Sequence, residues 1–181
     1  NVMGPGSFEP DRIFEAIRTH QHVSFFAAPT LVSRLINHPL AGSADQHNLE
    51  TITYGGAPMY LSDLKRALEL FGPKLYQVYG QGESPMTISG LTKPMHMNGN
   101  HLADDDILLS AGMARTGCAI RVVDDEGRDQ PHGEIGEIIT TSDCIMTGYW
   151  QNCEANAKSL RDGWLWTGDM GSIDARGLLS L

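Results

Sequence analysis

Through the first ninety residues, apolar positions recur alternately at helical and at strand spacing. That alternation predicts α/β layering around a largely parallel sheet. Pro10 opens a predicted helix whose Ile13, Phe14 and Ile17 share a face. Val23-Ser24-Phe25-Phe26-Ala27 follows as a buried strand stopped by Pro29, and residues 31–37 form a second predicted helix. Residues 51–54 read as a short strand running into Gly55-Gly56-Ala57-Pro58. Leu61, Leu64 and Leu68 then recur at helical spacing until Gly72-Pro73 ends that helix, and residues 75–79 are the next strand.

After Gly90 the pattern changes to glycine-containing turns at short intervals between strand-like runs. These runs are predicted at residues 119–123, 137–140 and 164–167, with Asp125-Glu126-Gly127 as a turn and one short helix over 154–160. The change of pattern predicts two subdomains, an α/β one over residues 1–94 and a β-rich one over 95–181. His96 and His101, beside Asp104-Asp105-Asp106, fall in the polar stretch between them. Neither HExxH nor EF-hand spacing accompanies them, so a solvated loop is expected there and no metal site.

Composition narrows the classes of partner. With 41% hydrophobic and 19% charged residues the chain is that of an ordinary globular protein rather than a disordered one. No apolar run approaches the roughly 20 residues that cross a bilayer, and Asn1 to Gly6 lacks the order of a signal peptide, so no transmembrane segment and a cytoplasmic setting are expected. The net charge of −9 is concentrated beyond residue 100, where 14 acidic side chains stand against 6 basic ones. A phosphate backbone would be repelled there, which argues against nucleic acid as a partner. Cys118, Cys144 and Cys153 are odd in number and lack CxxC spacing, so neither a disulfide framework nor a zinc site is expected.

Three clusters place unusual residue types directly after a predicted strand, where α/β proteins gather ligands. In Gly55-Gly56-Ala57-Pro58 the glycines let a flat ring approach the backbone, and Ala and Pro offer a small rigid apolar surface; a strand-to-helix turn wants the same residues. Tyr79-Gly80-Gln81-Gly82-Glu83 joins an aromatic ring that could stack on a purine to a carboxylate that could hold Mg²⁺, or else a core tyrosine to a solvated turn. In Trp164-Leu165-Trp166-Thr167-Gly168-Asp169 an aromatic strand is expected to end at Gly168, and Asp169 could accept two hydrogen bonds from a ribose or could simply close a turn. Gly133 to Ile138 and Thr147-Gly148-Tyr149-Trp150 say physically only turn, strand, turn.

Taken in order, these clusters resemble the adenylate-forming superfamily of acyl-CoA synthetases, luciferases and peptide-synthetase adenylation domains. Phe25 to Leu31 resembles the segment before the substrate pocket, Gly55 to Pro58 the adenine-flanking turn, Tyr79 to Glu83 the YGxTE motif and Trp166 to Asp169 the TGD motif. The resemblance runs from about Ser7 to Leu181. It implies the end of a layered α/β nucleotide-binding subdomain followed by a β-rich, distorted barrel-like one. It also implies a two-step ligase that activates a carboxylic acid, fatty or aryl, as an acyl-adenylate and transfers it to CoA, with ATP, Mg²⁺ and CoA as cofactors.

By the same resemblance Tyr79 stacks on adenine, Gly55, Gly56, Ala57 and Pro58 flank it, and Asp169 grips the ribose. Glu83 is the implied catalytic residue and Mg²⁺ ligand. Gly80, Gln81 and Gly82 line the nucleotide, and Gly80, Ser84, Pro85 and Met86 border the acyl pocket. Gly82 stands where the motif usually carries Thr, which removes a hydroxyl from the phosphates. The Ser/Thr/Gly-rich phosphate loop, the hinge and the C-terminal domain with its lysine are absent from the 181 residues, so the chain is expected to be an internal piece of such a ligase, inactive by itself. Two alternatives stay open: a non-catalytic nucleotide-binding or interaction module on this scaffold, and a peptide-synthetase adenylation domain.

Overall fold

Two helices begin on proline, whose missing N–H is no loss in a first turn where that group has no intrahelical acceptor. Pro10 opens α1 (Pro10–Thr19), and Pro29 opens α2 (Pro29–Ile36) directly behind β1 (Val23–Ala27), so it starts a helix as well as ending a strand. The computed structural model describes residues 8–42 and 46–181. The chain continues through β2 (Leu49–Gly55), α3 (Leu61–Phe71), β3 (Leu75–Gln81), β4 (Ser84–Leu91), a 3-10 helix (Lys93–His96), β5 (Met97–Asn98), β6 (His101–Leu102) and α4 (Asp105–Leu109). It ends with β7 (Met113–Ala114), β8 (Ala119–Val123), β9 (Gly136–Thr141), α5 (Cys153–Ser159), β10 (Leu160–Arg161), β11 (Trp164–Ile173) and β12 (Leu179–Ser180). The fold class is α/β, as expected.

Two compact units divide these elements. The first holds residues 1–76 and 92–108, the second 77–91 and 109–181, so the expected boundary at residue 95 falls within the 92–108 segment of the first unit.

In the first unit β1 and β2 run parallel, Phe25 opposite Ile52 and Ala27 opposite Tyr54, with α2 as the crossover that parallel neighbours require. The apolar stripe of α1, Ile13, Phe14 and Ile17, is buried, as are Leu64, Leu68 and Phe71 of α3. Each such side chain contributes about 1.5–3 kcal/mol by leaving water. Gly72, at φ 72°, stops α3 by donating its N–H to Leu68 O.

His96 departs from expectation. It is fully buried rather than part of a solvated loop, because both ring nitrogens find partners. Nδ1 lies 2.9 Å from Thr92 O, which can only accept, so Nδ1 carries the hydrogen; Nε2 accepts from Tyr54 Oη at 3.1 Å. Burial lowers the His96 pKa to about 4 and raises that of the Tyr54 phenol, leaving both neutral. Of the neighbouring aspartates, Asp105 begins α4 and pairs with Lys65 Nζ at 2.6 Å, and Asp106 Oδ1 accepts from Ile107 N at 2.9 Å. Among the described residues no cluster of His, Cys, Asp or Glu could hold a metal ion by itself, and no helix is long and apolar enough to cross a membrane.

The second unit is β-rich. Antiparallel β3, β4 and β7 form one part, and β10-β11-β9-β8 another, with β12 added to β11. β4, β7, β10, β12 and the second half of β11 go beyond the sequence pattern. β4 carries Pro85 and no apolar alternation, and it forms around a wide irregularity that leaves Pro85 and Met86 exposed. β11 does not end at Gly168 but continues to Ile173, because a bulge at residues 167–169 absorbs the glycine. The three cysteines are free thiols.

Candidate functional site

The last residues of β3 owe their placement to Gly80. Tyr79 pairs with Ser89 and Gln81 with Ser84, so Gly80 alone faces residues 85–88. A side chain at Gly80 would put Cβ 2.4 Å from Met86 N and 2.5 Å from Ser84 O, so only glycine admits this approach. Opposite distortion occurs in β11, where Trp166 pairs with Ile139 and Met170 with Glu137, leaving residues 167–169 against Ile138. Gly168 takes φ 74°, and its N–H donates to Glu137 Oε1 at 3.0 Å.

Thr167 locks the bulge from within. Its hydroxyl donates to Ile138 O at 2.7 Å and accepts the Asp169 N–H at 3.1 Å. The half-buried Asp169 carboxylate is held by two residues of β3: Oδ2 accepts from Tyr79 Oη at 2.6 Å and from Gln81 Nε2 at 2.8 Å. Gln81 Nε2 also donates to Thr167 O at 2.9 Å. Burial, and then the neighbouring Asp169, push the Tyr79 phenol well above its ordinary pKa, so it remains a donor. The site residues Tyr79, Gln81 and Asp169, up to 90 positions apart in sequence, thus form one hydrogen-bonded group.

Glu83 forms a second contact within the same unit. Its Oε1 accepts from Tyr149 Oη at 2.5 Å, which raises the Tyr149 pKa, and its main-chain O accepts from Met146 N at 2.8 Å. Asn156 clamps the Tyr149 backbone, taking its N–H at 2.6 Å and donating to its carbonyl at 3.1 Å. Tyr149 lies in the stretch from Gly136 to Trp150 that resembles a further motif of the superfamily, but the sequence pattern gives its hydroxyl no partner. The signal available was Gly148-Tyr149 followed by Asn152, the N-cap of α5, and Asn156 one turn later.

Gly82 is exposed, stands outside the left-handed region and has nothing within 4 Å of where a Cβ would lie. Ser84 is buried against Thr87, the two hydroxyls 2.7 Å apart, whereas Pro85 and Met86 are exposed. Gln77, two positions before Tyr79 on β3, belongs to no motif; its buried Oε1 meets no donor among the described residues. Gly55 to Pro58 belongs to the first unit. Gly55 is the buried last residue of β2, and Gly56, at φ 84°, Ala57 and Pro58 are exposed.

The AMP-binding enzyme family matches residues 1–150. Over 170 residues the chain is 31% identical to a medium/long-chain-fatty-acid–CoA ligase of Mycobacterium tuberculosis, a match covering 94% of this chain and 28% of that protein. Over 172 residues it is 34% identical to an indoleacetate–CoA ligase of Aromatoleum aromaticum, covering 95% and 32%. Among solved structures, an amide bond synthetase from Marinactinospora thermotolerans superposes with a TM-score of 0.85 at 34% identity, over 96% of this chain and 34% of that one. An o-succinylbenzoate coenzyme A synthetase of Bacillus subtilis, in complex with AMP, gives 0.82 at 27%, over 96% and 33%. The chain spans about a third of the length of these relatives.

Proposed function

Because the chain belongs to the family of AMP-binding enzymes, we propose that it supplies nucleotide-holding residues to an ATP-dependent, AMP-forming acid–thiol ligase. In this reading an apolar carboxylic acid, fatty or aryl, attacks the α-phosphorus of ATP through a carboxylate oxygen as the bond to pyrophosphate breaks. The thiol of CoA then takes the acyl group and AMP leaves. The names of the curated relatives, fatty-acid–CoA and indoleacetate–CoA ligases, support this class of acid and acceptor.

The observation that carries the reading is the group Tyr79–Gln81–Asp169. A carboxylate fixed at the end of two distorted strands is suited to the paired hydroxyls of a ribose, each charge-assisted hydrogen bond contributing about 1.5–3 kcal/mol. Tyr79, buried in a core cluster with Ile88, Val122 and Ile138, orients the carboxylate through its hydroxyl, and the stacking of its ring on the purine is proposed with it. The purine-flanking role of Gly55, Gly56, Ala57 and Pro58 is part of the same proposal. Glu83 fits Mg²⁺, which takes one or two protein carboxylates and fills its other positions with water and phosphate oxygens. When bound, Mg²⁺ would offset the charge of the phosphates. Glu83 is held for that task by Tyr149, which fixes one carboxylate oxygen.

Asp169→Ala in the full-length protein tests this. ATP and AMP binding, measured by calorimetry, should weaken roughly ten- to a hundredfold, with ATP–pyrophosphate exchange reduced in the presence of fatty or aryl acids. Unchanged nucleotide affinity would make Asp169 a turn residue and remove the ribose assignment.

A further inference from the structure

Gln81 sits in the motif expected to line the nucleotide, yet its side chain is directed elsewhere. Both contacts of Nε2 lie within the protein, at Thr167 O (2.9 Å) and Asp169 Oδ2 (2.8 Å). A main-chain carbonyl and a carboxylate can only accept, so the nitrogen end of the amide must face them, and its two N–H bonds are both used. No N–H of this side chain is left for a ligand. Tyr79 Oη donates to the same Oδ2 at 2.6 Å, so one oxygen of Asp169 takes the internal donors.

We infer that Gln81 is a positioning residue: it acts on the nucleotide through Asp169, holding Oδ2 and the Thr167 carbonyl so that Oδ1 is presented to a vicinal diol. The inference rests on the reading of Asp169 as the ribose ligand. Thr167 O and the Asp169 carboxylate flank Gly168, the residue at φ 74°, so the fork of Gln81 also fixes the hinge about which the carboxylate would swing. A methionine at position 81 would keep the length of the side chain and remove both donors. A glutamate would also keep the length and would set a third acceptor against two.

The test compares AMP with 2′,3′-dideoxy-AMP on the full-length protein, by calorimetry, for wild type, Gln81→Met, Gln81→Glu and Asp169→Ala. Gln81→Met should weaken AMP about tenfold, the scale of one charge-assisted hydrogen bond, and leave dideoxy-AMP unchanged. Gln81→Glu, which keeps the length but sets a carboxylate against two acceptors, should weaken AMP relative to dideoxy-AMP by at least as much. A residue that merely supports the sheet would weaken both nucleotides alike, and that result overturns the inference. If Gln81→Met does not fold, the same comparison in Gln81→Glu decides: a loss confined to AMP supports the positioning role and an equal loss of both nucleotides overturns it. Equal binding of the two nucleotides by wild type, with Asp169→Ala binding AMP normally, overturns the ribose reading itself and the positioning role with it.

Discussion

Gly80 and Gly82, two residues apart, face opposite constraints. At Gly80 a Cβ would collide with main-chain atoms of Ser84 and Met86, which cannot move aside without shifting β4. Gly80→Ala should therefore cost about 1–3 kcal/mol, read as a lower melting temperature. At Gly82 a Cβ meets nothing, and the backbone does not require glycine. Gly82→Thr should change stability by less than about 0.5 kcal/mol. It should also leave ATP–pyrophosphate exchange by the full-length protein within about twofold, since a water can stand in for the absent hydroxyl. A large gain from near-background exchange would instead identify a protein whose chemistry was lost at this position. The residue types at Tyr79, Glu83 and Asp169 are legible in the sequence because they stand at the ends of strand-like runs in a fixed order, although Tyr79 and Asp169 lie within β3 and β11. Their hydrogen-bond partners are not, since pairing Tyr79 with Asp169 needs two strand distortions that no local pattern encodes.

Among the elements, those with a strong local period were the legible ones. The stripes of α1 and α3 and the proline and glycine at their ends mark these helices directly. β4 and the second half of β11 were hidden because each contains a residue, Pro85 or Gly168, that usually breaks a strand and here sits in a bulge. The 3-10 helix was hidden because a polar stretch normally signals solvent, whereas His96 finds acceptor and donor inside the core. That burial makes the first unit acid-sensitive. The folded-state pKa of about 4 lies below the ordinary 6.5, so the unfolded chain binds the proton first; the stabilisation is complete above pH 6.5 and is lost as pH falls toward 4. The loss amounts to roughly 3 kcal/mol. His96→Gln should lower stability at neutral pH and flatten this part of the acid slope, which thermal unfolding across the pH range would reveal.

On the scale of the whole molecule, the two units interleave along the chain. The 181 residues contain neither GxxxxGK[ST] nor another glycine-rich loop with a lysine to cradle phosphates, and they span about a third of their relatives. Orientation of ATP against a carboxylate should then exceed what this chain provides alone. Hydroxamate trapping should detect no acyl-adenylate from the isolated chain above a no-enzyme control, and should detect it from the full-length protein. Connectivity adds a constraint of its own. The chain leaves the first unit inside β3, returns at residue 92 and leaves again at 109. On a ribosome, residues 77–91 of the second unit emerge before the first unit has received its last segment, and they must wait for 109–181 before their own unit is complete. A single cut after residue 108 keeps the first unit whole and one before residue 77 keeps the second, but each leaves a piece of the other unit attached, so a deletion series never isolates one unit by itself.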